Sequence, residues 1–252
     1  MTARFVDKTV LITGGGAGLG RAIALAFAAE GARVAVAGRT AAALDETVAL
    51  IDKDSGVAAA FPADVRQPAA VQSLVAQTAE HLGGLDIAVN SAGILRNGPV
   101  GDLSYEDWRD LLDINVTGVF LSMQAEIGYM RAHGGGAIVN LSSNLGVHRR
   151  LAGFGGYVAT KAAVTALTRN AALDHIGDGI RINAVSPGPS ATSMSLRPGE
   201  TEEEQVVRMR QQNPLGRVCS TDEVAAAVLY VASSAAGSLV GTDLVIDGGG
   251  SV

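Results

Sequence analysis

The chain has a single cysteine, Cys219, among its 252 residues. No internal disulfide can form, so a reducing compartment is expected. Without a motif of its own, Cys219 reads as a small, partly buried residue. Nowhere do eighteen apolar residues follow one another, and no membrane span or membrane partner is expected. The opening stretch MTARFVDKTVLITGG has no apolar run long enough for a signal peptide before Gly14. Positive charge is scarce: 19 Lys and Arg stand against 25 Asp and Glu, for a net charge of −6. With a pI near 5.2, no nucleic-acid partner is expected. These absences together point to a cytoplasmic globular protein.

What is plentiful is small and apolar. Hydrophobic residues make up 48%, charged residues 17%, and there are 32 glycines. Glycine this frequent, without a collagen-like period, marks tight turns and close backbone contacts. The length suits one large domain with a well-filled core.

Short apolar runs at 9–13, 33–38, 56–61, 85–90, 136–142, 180–186 and 243–247 read as strands. They are nearly continuous in apolar residues, as in a parallel sheet covered on both faces. Helical stretches lie between them, at about 19–30, 41–53, 68–82, 104–132, 156–176 and 221–233. Strict alternation predicts an α/β fold: a doubly wound, seven-stranded, mostly parallel sheet with helices on both faces, as a single domain over 1–252. The least regular part is 187–215, with four of the seven prolines. It reads as a substrate lid at about 190–213, its glutamates at 202–204 as a solvated helix face.

The first strand runs into Thr13-Gly14-x-x-x-Gly18-x-Gly20. Glycines there let backbone approach a phosphate, and the following helix offers free N–H groups and a positive dipole. The strict G-x-G-x-x-G spacing fails at Leu19, and no Gly-Lys-Ser/Thr follows Gly20 for a P-loop. A purely structural glycine turn is the alternative. In the helix at 156–176, Tyr157 and Lys161 stand four apart and share a face. A free phenol has a pKa of about 10, and a cation alongside favours the phenolate and lowers that value. A tyrosine at a helix edge beside a solvated lysine is the plainer reading of the pair.

Taken in order, these elements resemble the short-chain dehydrogenase/reductase family, from the first strand to residue 250. TGxxxGxG is similar to that family's dinucleotide turn, and NSAG at 90–93 to its Asn-Asn-Ala-Gly element, with Ser91 for the second asparagine. Asn115 in DINVTG falls on the family's helix asparagine. IVNLSS ends in Ser143, fourteen residues before Tyr157, where the catalytic serine is expected. NAVSPG and VIDGGG resemble the elements around the last two strands.

The resemblance implies a Rossmann-like oxidoreductase that moves hydride between a nicotinamide cofactor and a secondary alcohol or ketone. Tyr157 would be the general acid/base, and Lys161 would lower its pKa and hold the nicotinamide ribose. Ser143, favoured over its neighbour Ser142, would donate to the substrate oxygen. Asn115 would hold a water that resupplies the proton. Gly14, Gly16, Gly18, Leu19 and Gly20 would form the phosphate turn, Asp64 and Val65 would meet the adenine, and Asn90, Ala92 and Gly93 would lie beneath the cofactor. Pro187, Gly188 and Thr192 would flank the nicotinamide, with Thr192 on its carboxamide. Gly38 stands where NAD-preferring members carry aspartate, and Arg39 follows, which implies NADP with NAD as the alternative. Leu95, Leu145, Leu151 and Phe154 would flank an apolar substrate pocket. His148, Arg149 and Arg150 share its loop and read most simply as solvated cations, one of which would meet any anionic group. No metal site is expected at His148. A non-catalytic dinucleotide-binding regulator on the same fold is the alternative function. The stretches 156–176 and 104–132, apolar and small on more than one face, imply burial against a second subunit, as a homotetramer or homodimer.

Overall fold

The computed structural model describes residues 3–197 and 199–252, without the side chain of Glu202. Seven parallel strands form one sheet in the order β3-β2-β1-β4-β5-β6-β7. They are β1 Thr9–Thr13, β2 Arg33–Gly38, β3 Val57–Pro62, β4 Ile87–Asn90, β5 Gly136–Leu141, β6 Ile180–Pro187 and β7 Asp243–Ile246. Alternate residues of β1 enter different cores, as the two-residue period of a strand requires. Val10 and Ile12 pack under α1 (Gly18–Ala29), α2 (Ala41–Lys53) and α8 (Thr221–Ala232), with Phe27 and Val228. Leu11 packs on the opposite face under α3 (Pro68–Leu82), α5 (Gly118–Ala132) and α6 (Gly155–His175), with Leu74, Met123 and Val164. Burial on both faces is what makes the strands continuously apolar. No helix among the described residues is long and apolar enough to cross a membrane.

The sheet winds outward from β1 in one direction and from β4 in the other. The chain reverses between those strands, and the crevice at their carboxyl ends is where open α/β sheets take ligands. Two expected elements differ in detail. The fourth strand begins at Ile87, and Asp86 just before it accepts through its carboxylate from Thr9 N at 2.9 Å and Lys8 Nζ at 2.9 Å. The stretch 104–132 is α4 (Tyr105–Leu112) joined to α5 through a wide π turn at Asp113–Thr117.

The segment after β6 is more built than its composition implies. A single 3₁₀ turn at Ser193–Ser195 precedes α7 (Glu202–Gln212). Glu204 closes a capping box on Thr201, so the glutamate run does more than face solvent. Arg208 pairs with Glu200 at 2.6 Å, and Gln205 Nε2 donates to Ser195 Oγ at 2.7 Å.

Candidate active site

The glycine turn has a steric cause. Gly14 has φ +72°, and a Cβ there would lie 2.8 Å from the backbone nitrogen of Ala92. A Cβ on Gly20 would collide with the Gly14 carbonyl. Thr192 covers Gly18, its Cγ2 3.4 Å from where a Cβ would be. Helix α1 begins on Ala17 with no side-chain cap and no acidic residue in its first turn, so its N–H groups and positive dipole face the cleft unspent. Arg21 takes no part in the cleft. It braces the turn from behind, on the Gly16 and Ala43 carbonyls and on Thr47 Oγ1 at 3.0 Å, while Thr47 bonds the Gly15 carbonyl at 3.0 Å. No local spacing in the sequence marks that brace, since Arg21 and Thr47 stand on different helices.

The end of β5 separates its two serines. Ser142 borders the cleft, but its Oγ lies 3.0 Å from the Lys161 carbonyl and 2.9 Å from Thr165 Oγ1, so its hydroxyl is already engaged. Ser143 is buried beside the Tyr157 phenol, and its Oγ accepts from Leu145 N at 3.1 Å. Ser143 is thus the serine whose hydroxyl meets the phenol.

Burial dominates the electrostatics of Tyr157. Burial raises its pKa above the ordinary phenol value, and the Ser143 hydroxyl offsets only part of the rise. Lys161 is also buried, and desolvation pulls its pKa down to about 8. Its Nζ donates to the Leu141 carbonyl at 2.8 Å and lies 5.8 Å from the Tyr157 ring centre. Loss of water around the charged form thus acts on both groups, raising the phenol and lowering the amine.

Asn115 is fully buried in the π turn. Its Oδ1 accepts from Ile94 N at 2.8 Å, and its Nδ2 donates to the Ile94 carbonyl at 2.9 Å and to Thr160 Oγ1 at 3.1 Å. The side chain thus pins Ile94 and reaches across to α6. Asn115 Oδ1 and Lys161 Nζ converge on Gly93, at 3.3 and 3.7 Å from where its Cβ would be. The missing side chain is what leaves room there.

A cleft of about 250 Å³ is lined by Gly14, Gly18, Leu19, Gly20, Ala92, Gly93, Tyr157, Lys161 and Thr192 from the expected set. Asn90 is not in its wall. That side chain turns into the core, donating to Glu126 Oε2 and to Asn140 Oδ1, both at 3.0 Å. Glu126 and Asn140 were not singled out from sequence, and a lone acid in a helix gave no signal. Gly16 lies behind the turn against Ala43. Val65 is buried against Gly118, and Asp64 is held by Arg66 at 2.6 Å, which keeps its carboxyl below the usual range. Arg39 is exposed beyond β2. Pro187 and Gly188 close on β7, with Gly188 N donating to the Ile246 carbonyl at 2.8 Å. Neither lines the cleft.

A wider cavity of about 540 Å³ opens beside the cleft and shares Gly93, Ile94, Ser193 and Met194 with it. Leu95, Leu196, Asn97, Arg96 and Arg197 complete its wall, which is as polar as it is apolar. Leu145, Leu151 and Phe154 lie outside its wall. His148 is no solvated cation, because its Nε2 meets Asp243 Oδ2 at 2.8 Å. Among the described residues, no group of three or more His, Cys, Asp or Glu is placed to hold a metal.

The cleft fits a dinucleotide. Four of its wall residues are glycines, an uncapped helix N-terminus faces it, and a buried phenol and amine also stand in its wall.

A family model described as enoyl-(acyl carrier protein) reductase matches residues 14–251. The chain is 38% identical to a cyclohexanol dehydrogenase of Acinetobacter sp. strain SE19, over 98% of this chain and 96% of that protein. A short-chain type dehydrogenase/reductase from Mycobacterium marinum superposes with a TM-score of 0.92 at 37% identity, covering 99% and 97% of the two chains. A 7α-hydroxysteroid dehydrogenase, solved with NADH and 7-oxo glycochenodeoxycholic acid, superposes with a TM-score of 0.91 at 32% identity, covering 99% and 96%. A likeness that runs the length of the chain, over a glycine cleft walled by Tyr157 and Lys161, shows that the chain belongs to the short-chain dehydrogenase/reductase family of nicotinamide-dependent oxidoreductases.

Proposed function

We propose that the protein interconverts an apolar or cyclic secondary alcohol and its ketone, with NADP(H) preferred over NAD(H). The observation that carries this reading is the Tyr157–Lys161 pair in the wall of the glycine cleft, with Ser143 beside the phenol and the wider cavity opening alongside. Bound nicotinamide supplies or accepts the hydride. In the reducing direction, Tyr157 gives its phenolic proton to the substrate oxygen as charge builds there, and Ser143 donates a hydrogen bond to the same oxygen. A phenol kept protonated by burial is ready as an acid; as a base it needs positive charge added nearby. Lys161 stands where it would supply part of that charge and hold the ribose hydroxyls.

Gly14, Gly16, Gly18, Leu19 and Gly20, with α1 behind them, would hold the pyrophosphate. Asp64 and Val65 would border the adenine, Ala92 and Gly93 the nicotinamide ribose, and Thr192 the carboxamide. Pro187 and Gly188 would fix Thr192's loop, and Asn115 would fix Ile94 at the junction. Asn90 would set the strand end below them. Arg39, exposed and without an acid beside it on β2, supports a 2′-phosphate. Residues 190–213 would act as the lid of one domain spanning 1–252, in the cytoplasm. Phe120 and Ile176, both partly exposed, and Leu173, 74% exposed, support a homotetramer or homodimer built on α5 and α6.

The test is a panel of secondary alcohols and ketones with NADPH, NADH and their oxidised forms, followed by nicotinamide absorbance. Turnover of cyclic or apolar members with NADP(H) is expected. No turnover with any member, despite dinucleotide binding, would defeat the reading.

A further inference from the structure

Asp243, the first residue of β7, is buried to 1% side-chain exposure, yet it stands outside both cavities. Its Oδ1 accepts from Ser186 Oγ at 2.6 Å, and its Oδ2 from Thr165 Oγ1 at 3.0 Å. His148 Nε2, on a ring 23% exposed, meets the same Oδ2 at 2.8 Å. An ionised carboxylate only accepts, so all three partners donate. Thr165 has one hydrogen, given to Asp243, and its oxygen can then only accept from Ser142 Oγ, 2.9 Å away. Ser142 in turn shares its hydrogen with the Lys161 carbonyl at 3.0 Å. The chain of donors runs from beneath Ser143 to the buried carboxylate.

Four elements meet on this one group. Ser142 precedes Ser143 at the end of β5, Thr165 lies one turn beyond Lys161 on α6, and Ser186 is on β6. His148 is on the loop between β5 and α6. That loop is a tight fold whose base is Asn144: Arg149 N donates to the Asn144 carbonyl at 2.8 Å, and Gly146 N to the Arg149 carbonyl at 3.1 Å. Asn144 is itself held, by Asp247 Oδ2 at 3.1 Å and through its N–H by the Pro187 carbonyl at 2.9 Å. His148 is the side chain that ties the far side of the fold to the sheet.

We infer that His148 and Asp243 are positioning residues, a fixed point against which the serine strand, the lysine helix and the loop after Ser143 are set. The inference rests on the proposed roles of Ser143 and Lys161. Its physical ground is the sensitivity of acid/base and oxyanion geometry to small displacements: about 1 Å of misplacement costs on the order of a hundredfold in rate. His148 touches neither cavity, so its effect falls on turnover and not on holding the dinucleotide.

The experiment compares His148→Ala and His148→Gln in the full chain. Alanine removes the donor, and glutamine's amide restores one at similar reach. The alanine variant is expected to lose kcat about tenfold while its Kd for NADPH stays within about twofold and its thermal midpoint holds. The glutamine variant is expected to recover most of the loss. An alanine variant with unchanged kcat, or a glutamine variant as slow as alanine, overturns the inference and leaves the reaction itself standing. If the wild-type protein turns over no substrate, it is the functional reading that fails. Hydrogen exchange then decides this point, since faster exchange of the Gly146 and Arg149 amides in His148→Ala supports the fixed point and unchanged exchange overturns it.

Discussion

Asn90, at the end of β4, donates its side-chain amide to Glu126 on α5 at 3.0 Å, and both residues are sealed from solvent. Burial raises the Glu126 carboxyl from its ordinary 4.5 to about 8, with the Asn90 bond pulling the other way. The acid is therefore neutral inside the protein at pH 7.

Stability should follow from that shift. Unfolded chains lose this proton near pH 4.5 and folded ones only near 8. The contribution of Glu126 is thus fully present below about 4.5, falls as pH rises to about 8, and is flat beyond. Glu126→Gln, neutral at every pH and of the same shape, should gain stability over wild type across that window. Each pH unit is worth about 1.4 kcal/mol, so the gain between pH 5 and 8 should be on the order of 2–4 kcal/mol. Urea unfolding of both proteins at the two pH values measures it; a pH-independent difference would contradict a protonated Glu126.

Tyr157→Phe should keep cofactor binding and lose turnover by about 10²-fold or more, the scale of a positioned acid/base. Lys161→Ala should weaken both, since its amine reaches cofactor and phenol alike. Stopped-time turnover beside fluorescence titration of NADPH separates the two. Near-normal kcat in Tyr157→Phe at saturating substrate would remove the phenol from the reaction.

Cofactor preference should rest on the end of β2. A guanidinium grips a phosphate through charge-assisted hydrogen bonds of about 1.5–3 kcal/mol each, so NADP(H) should be favoured ten- to a hundredfold, at about 1.4 kcal/mol per factor of ten. Arg39→Ala should weaken NADPH much more than NADH. Gly38→Asp should shift preference toward NAD, and the backbone has room for it: the nearest atom to a Cβ there is Leu44 Cδ2, at 3.5 Å. A wild-type kcat/KM higher with NAD(H) would reverse the assignment.

Association should follow from the same helices that carry the site. Leu173 on α6 and Phe120 on α5 are both exposed, at 74% and 43%. Light scattering at micromolar concentration should give at least twice the chain mass, and a monomeric mass would exclude the assembly.

Much of this architecture is legible in the chain because its signals are local. Strands such as TVLIT are apolar at consecutive positions, and the glycines of 14–20 sit at a junction their conformation demands. What the sequence hides depends on partners far away. Nothing near Asn90 says that its side chain turns inward to an acid 36 residues on. Nothing near His148 shows Asp243, 95 residues away. The Tyr157–Lys161 spacing was plain, but the balance between attraction and desolvation depends on burial, which spacing does not encode.

The contacts on Asp243 span 57, 78 and 95 residues, and long closures of this kind form late because their chain entropy is spent before the contacts reward it. Helices and the first strands have no such wait. A chain returning from denaturant should therefore recover its helical signal and the β1–β2–β3 pairing while still inert. The reacting groups come into register only when the last strand docks, so catalytic competence reports completion of the fold rather than its onset.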